Sequence, residues 1–250
     1  MAGEIGFCED DALGYVRSRT PFVEGAPLEL DASYRAAHLP LLRPGHSLAL
    51  SHVAGRPQMV DGRHPTAWSV VLPVDADALE GSSEARELER QLRESSFAHK
   101  VAWELLPRRR KVLHATVCGG LGEGPPPAFD EAAMRALREI GPIEIELRGL
   151  FSGNVSVGRL YLRVYPESRS GTNPLQLVQR ALGRPETDLW LVGIYNLVDN
   201  LTMGEARELK AILYEWWDVG LLRFTASHLW LLGARDDLVL DGDPPLDLAL

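Results

Sequence analysis

The stretch RRRKVLHATVCGG, residues 108–120, sets an imidazole inside what otherwise reads as a buried β-strand. Side chains alternate along a strand, so Val112, His114, Thr116 and Cys118 share one face, while Ala115 and Val117 occupy the other. A hydroxyl and an imidazole that are neighbours on one face can jointly hold a cluster of phosphate oxygens, the hydroxyl as donor and the imidazole as acid or base. The competing reading is a histidine satisfied by a backbone carbonyl, beside a β-branched residue that favours strands. Cys118 is twice as far from His114 as Thr116 is, beyond hydrogen-bond reach, and reads as a small core filler.

Working outward, AWSVVLPVD (67–75) is a valine-rich strand, and SSEARELERQLRESS carries Ala85, Leu88 and Leu92 on one stripe of a helix. VAWELLP (101–107) and KVLHATVCG (111–119) both read as strands. GGLGEGPPPAF (119–129) continues neither kind of element and is the best internal boundary; its three prolines leave no helix N-terminus for a pyrophosphate, which argues against a Rossmann site. Beyond it, Asp130 caps a helix that stops at Gly141. PIEIELRGLF and VGRLYLRVYP are alternating strands, and a helix follows with Asn173 as cap, Pro174 at its first position and Gly183 as stop. DLWLVGIYNL reads as a fully buried strand, and the Thr202 to Glu205 spacing is a capping box opening a further helix. LLRFTASHLWLLG reads as one last strand. Residues 1–66 read as an irregular extension wrapping the core, with a short strand at HSLALS (46–51); residues 241–250 form an acidic tail that packs as an edge or hangs loose.

The sum is an α+β chain with two related lobes. Its 250 residues hold 45% apolar and 24% charged side chains, with no apolar run approaching the roughly 18 residues of a membrane helix. The N-terminus lacks the features of a secretory signal, and two cysteines without metal spacing fit a reducing compartment, so a cytoplasmic location is expected. A net charge of -9 argues against a salt-driven duplex-DNA binder but leaves a small or single-stranded phosphate ligand open.

The segment LHATV, preceded by strand, helix and strand, resembles the His-x-Thr/Ser-x signature of the two-histidine (2H) phosphoesterase superfamily, which includes LigT-like RNA 2',5'-ligase homologues and 2',3'-cyclic phosphodiesterases. FTASHLWLL is similar to that group's closing strand, and the resemblance spans roughly residues 67–240. It implies a bilobal fold, two antiparallel sheets flanked by helices around a central cleft, with the lobe boundary near 119–128. It also implies metal-independent and cofactor-free cleavage of a 2',3'-cyclic phosphate or a 2',5'-linked nucleotide or RNA, with His114 as general acid or base and Thr116 binding phosphate. The scattered histidines at 38, 46, 52, 64 and 99 have no zinc-type spacing.

The chain departs from the signature in its second lobe, because no histidine lies between His114 and His228. Two alignments compete. Either HLWL at His228 is the second motif, with Trp230 in place of the hydroxyl, or DLWLVGIYNL is that strand with its histidine lost and His228 on a structural strand. The loss of one proton-transfer group would leave weak hydrolysis, or binding of a nucleotide or phosphorylated ligand alone.

Further candidates are Arg110, which would share the parity of His114 if its strand begins early, and the alternating Arg159, Tyr161 and Arg163, whose face could meet a phosphate or a base. Tyr195 and Asn196 end a strand and could reach a phosphate. In each case a solvated or half-buried polar face is the competing reading. The tryptophans at 190, 216, 217 and 230 read as core.

Overall fold

The computed structural model describes residues 5–52, 55, 56 and 58–250. Its helices are α1 (Ala32–Ala37), α2 (Leu39–Leu42), α3 (Ala76–Gly81), α4 (Ser83–Glu94), α5 (Leu106–Arg109), α6 (Glu131–Ile140), α7 (Pro174–Ala181) and α8 (Met203–Glu215). The strands are β1 (Arg63–Pro73), β2 (His114–Cys118), β3 (Ile143–Ser152), β4 (Arg159–Pro166), β5 (Leu191–Asn196), β6 (Gly220–Ala226), β7 (His228–Asp236) and β8 (Leu246–Ala249). The mixture is α+β. None of the described helices is long and apolar enough to cross a membrane.

Local chemistry sets most of the helix boundaries. The carboxylate of Asp130 accepts from the Ala133 amide at 2.7 Å, and Gly141 ends α6 at φ +70°. Asn173 caps α7 ahead of Pro174, and Thr202 and Glu205 close the reciprocal capping box of α8. Leu88 and Leu92 of α4 are buried along its apolar stripe.

The expected pair of sheets is one continuous antiparallel sheet, in the order β6-β3-β4-β5-β2-β1-β7-β8. Its centre is a narrow seam: β2 and β5 share the single register pair Ala115↔Val192, whereas the ladders on either side run longer. Because β2 and β5 bond directly, neither half keeps a free edge there. The outer strands meet by curling. LLRFTASHLWLLG is not one strand but two, β6 and β7, divided at Ser227, so a single residue carries the chain from one edge of the sheet to the far half. The sheet must therefore bend until those two regions are neighbours.

Three further expectations are corrected. VAWELLP is a pair of helical turns, Trp103–Leu105 and α5, because Pro107 opens α5 and cannot donate to a ladder. The β2 strand begins only at His114, since residues 110–112 form a 3-10 turn. HSLALS holds a turn at 47–48 and a bend at Ser51 in place of a strand. The acidic tail does supply an edge strand, β8, paired with β7.

The N-terminal segment wraps the sheet through isolated bridges, Phe7↔Glu167, Arg19↔Gly153 and Leu28↔Leu201, and buries Tyr15, Tyr34 and Leu39 completely. Gly158 sits at φ +119° where a Cβ would strike the Tyr34 ring, so the start of β4 depends on glycine to admit α1.

Candidate anion-binding site

His114 opens β2. Its Nδ1 donates to the Val112 carbonyl at 2.5 Å, which leaves Nε2 as the free lone pair. Burial, with Arg109 and Arg159 nearby, depresses its pKa to about 4 against the opposing pull of that carbonyl, so the ring is neutral near pH 7. Thr116 pairs with Val71 two residues along a regular stretch of ladder, on the same side as His114, and is exposed. Burial pushes the Cys118 thiol up to about 11, which removes it as a nucleophile.

The strand beside β2 is β5, and antiparallel register from Ala115↔Val192 sets His114 next to Gly193 and Thr116 next to Leu191. Neither neighbour can move a proton. Two guanidinium groups converge on Gly193 instead. Arg109 donates from Nη1 to its carbonyl at 2.5 Å and from Nε to the Leu238 carbonyl at 3.0 Å. Arg159 lies across the glycine where a Cβ would be, and its Nη1 donates to the Asp237 carbonyl at 3.0 Å and towards His38 Nε2 at 3.3 Å. Because His38 accepts at Nε2, its proton sits on Nδ1, which has no partner. Arg109 Nη2, Arg159 Nε and Asn196 Oδ1 are likewise buried and unpartnered.

The electrostatics are those of two guanidinium groups held close together. Burial and the neighbouring Arg159 lower the Arg109 pKa to about 9, and burial, Arg159 and Arg109 lower that of His38 to about 3. The two carboxylates at hand are engaged elsewhere. Asp236 accepts the amides of Leu238, Leu240 and Asp241, and Asp237 holds His64 at 3.3 Å and Arg56 at 3.1 Å. Burial works against ionisation of Asp237, but His64 and Arg56 outweigh it and hold its pKa well below the usual range. His64 is raised in turn, first by its bond to Asp237. Among the described residues no three His, Cys, Asp or Glu side chains converge as metal ligands.

Of the residues singled out from sequence, the structure gathers His114, Arg159, Asn196 and Tyr161, the last lying 5.5 Å from the Arg159 guanidinium. Others lie apart. Arg110 does not share the parity of His114, because it sits in a 3-10 turn; it pairs with Asp77 and Glu80 at the surface. Arg163 is fully buried, 3.5 Å over the Trp217 ring and bonded towards Asp10. Tyr195 packs against Trp103 and lines an apolar pocket with Leu79, Leu88 and Leu113. His228 lies on β7, separated from β2 by β1, with a 44% exposed side chain near Asp247.

Sequence reasoning missed Arg109, His38 and Tyr34. The Tyr34 ring stacks on His38 at 4.8 Å, its hydroxyl donates to the Leu197 carbonyl, and it accepts from Asn196 Nδ2 at 3.3 Å. Only tertiary contacts distinguish Arg109 from the other cations of its run.

No family model matches the chain, and no curated protein matches it.

Proposed function

We propose that this cluster binds the phosphate of a small ligand, a cyclic nucleotide or an RNA-end phosphate, in a 2H-phosphoesterase-like protein whose second lobe no longer supplies an acid or base. The observation that carries the proposal is the meeting of Arg109 and Arg159 on Gly193, with Arg109 Nη2 and Arg159 Nε buried and unpartnered. Each buried donor left without a partner costs about 1–3 kcal/mol, more when charged, and an anion accepting from them and from His38 Nδ1 would remove that cost. Asn196 Oδ1 supplies one acceptor for a ligand hydroxyl.

His114, neutral with a free Nε2, has the form of a general base for water or a ribose hydroxyl. That feature favours the second reading, a metal-independent phosphodiesterase acting on 2',3'-cyclic or 2',5'-linked substrates. With Gly193 and Leu191 opposite, neither β5 neighbour of His114 and Thr116 protonates a leaving oxygen, a step such groups accelerate by roughly a hundred to ten-thousand-fold. Binding with little turnover is the expected behaviour.

Calorimetry with 2',3'-cyclic nucleotides, alongside hydrolysis of the same panel without added metal, separates the readings. Binding lost in Arg109→Met and Arg159→Met variants that remain folded, with no turnover in the wild type, is the expected result. Turnover abolished by His114→Ala makes the protein an enzyme, and loss with His228→Ala as well returns His228 to the reaction. Failure of the wild type to bind any phosphate ligand sinks the proposal.

A further inference from the structure

The two flanks of α8 differ in charge. On one, the acids are engaged with residues 91–100: Glu205 with Lys100 at 2.7 Å, Glu208 with the Ser96 amide at 3.0 Å, and Glu215 with Gln91 at 2.9 Å. On the other, Met203, Arg207, Lys210 and Tyr214 recur at spacings of four, three and four and so form one stripe along the helix.

Residues 22–26 run beside this stripe and line a hollow with Met203, Arg207 and Lys210; it adjoins, through Phe22 and Lys210, a second hollow lined by Arg19, Phe151, Leu213 and Tyr214. Val23 is 70% exposed, Tyr214 61% and Met203 56%, so three large apolar side chains stand in solvent on one patch. Arg19, Arg207 and Lys210 border it, and none of the three makes an ion pair among the described residues. Arg19 instead lies 3.5 Å over the Trp217 ring. Glu24 is the one acid lining the groove. Against a net charge of -9, the patch is a local reversal of sign.

We infer that this groove docks an acidic segment of a partner polypeptide that carries apolar side chains, its carboxylates on Arg19, Arg207 and Lys210 and its apolar groups over Phe22, Met203 and Tyr214. Charge complementarity chooses the sign of the partner, and the exposed valine and methionine choose its class. A single-stranded nucleic acid would use the cations, but it would leave Val23 and Met203 uncovered and find one exposed ring on which to stack. The inference is independent of the phosphate site.

The probe is a fluorescein-labelled twelve-residue peptide alternating Glu or Asp with Leu, titrated with the full chain by anisotropy. Expected are saturable binding that weakens between 50 and 300 mM salt, at least a tenfold loss in Arg207→Glu/Lys210→Glu, and a smaller loss in Met203→Ala/Tyr214→Ala. All four positions lie on the solvent-facing stripe, so circular dichroism should report folded variants. Absence of saturable binding overturns the inference, as does equal affinity for the same peptide with serine in place of leucine. Tighter binding of a labelled oligouridylate, lost in the same charge variants, assigns the groove to nucleic acid and overturns it too.

Discussion

The guanidinium of Arg159 occupies the space that a side chain at position 193 would fill, so the lack of a side chain at Gly193 and the placement of Arg159 are one structural fact. Arg159 is held there by the Asp237 carbonyl and by His38, and Arg109 bonds to the carbonyl of the same glycine. Two cations thus converge on the glycine that lies beside His114, on the strand that pairs with β2.

This relationship predicts a steric coupling. In Gly193→Ala the new methyl overlaps a guanidinium that is tethered and largely enclosed, and the expected cost is about 1–3 kcal/mol, typical of overpacking. Arg159→Ala removes the obstruction, so the double variant should lose clearly less than the sum of the two single losses. Urea unfolding of the four proteins measures the cycle, and strict additivity would show that Arg159 does not occupy that space.

Adjacent arginines should behave oppositely. Arg109 is buried and satisfies the carbonyls of Gly193 and Leu238, so Arg109→Met strands two acceptors and should cost roughly 2–4 kcal/mol. Arg110 pairs with Asp77 and Glu80 in solvent, so Arg110→Met should leave the melting temperature and phosphate binding nearly unchanged. Equal losses in thermal melts would mean that Arg109 is not the buried member of the pair.

Tyr34→Phe tests the docking of the N-terminal segment. It deletes a hydroxyl that donates to the Leu197 carbonyl and accepts from Asn196, both buried, while the ring still stacks on His38. The expected cost is about 1–2 kcal/mol, with faster amide exchange concentrated at the end of β5 and in α1. Exchange that quickens uniformly along the chain would show that Tyr34 serves global stability alone.

How far the sequence discloses this molecule depends on the range of the interactions involved. The caps at Asp130, Asn173 and Thr202 are local, and each helix begins where its cap residue places it. The shared face of His114 and Thr116 follows from strand alternation alone. The run 101–107 misleads because a short apolar stretch fits strand and helix alike; Pro107 was the signal for the helical turn that forms. His38 and Tyr34 were out of reach, since their partners lie more than a hundred residues away on β4 and at the end of β5. The single sheet escaped notice because a seam of one register pair leaves no mark in a pattern of alternation.

Acid should destabilise the fold through two histidines. Burial is the main cause that lowers His38 to about 3 and His114 to about 4, whereas an unfolded histidine titrates near 6.5. Between those values the unfolded chain takes up protons that the folded chain refuses, so stability rises with pH and is lost as pH falls from about 6.5 towards 4. Each histidine contributes a slope of up to about 1.4 kcal/mol per pH unit there. His64 works in the opposite sense, since its raised pKa gives stability that is full below 6.5 and lost as pH rises through the folded value, outside this window. Asp237, held low by His64 and Arg56, is lost only at more acidic pH. Urea midpoints at pH 7, 6, 5 and 4.5 should fall steadily for the wild type, and His114→Gln should flatten the slope by about one proton. A wild-type midpoint that stays level or rises on acidification across this range would mean that neither imidazole is buried in its neutral form.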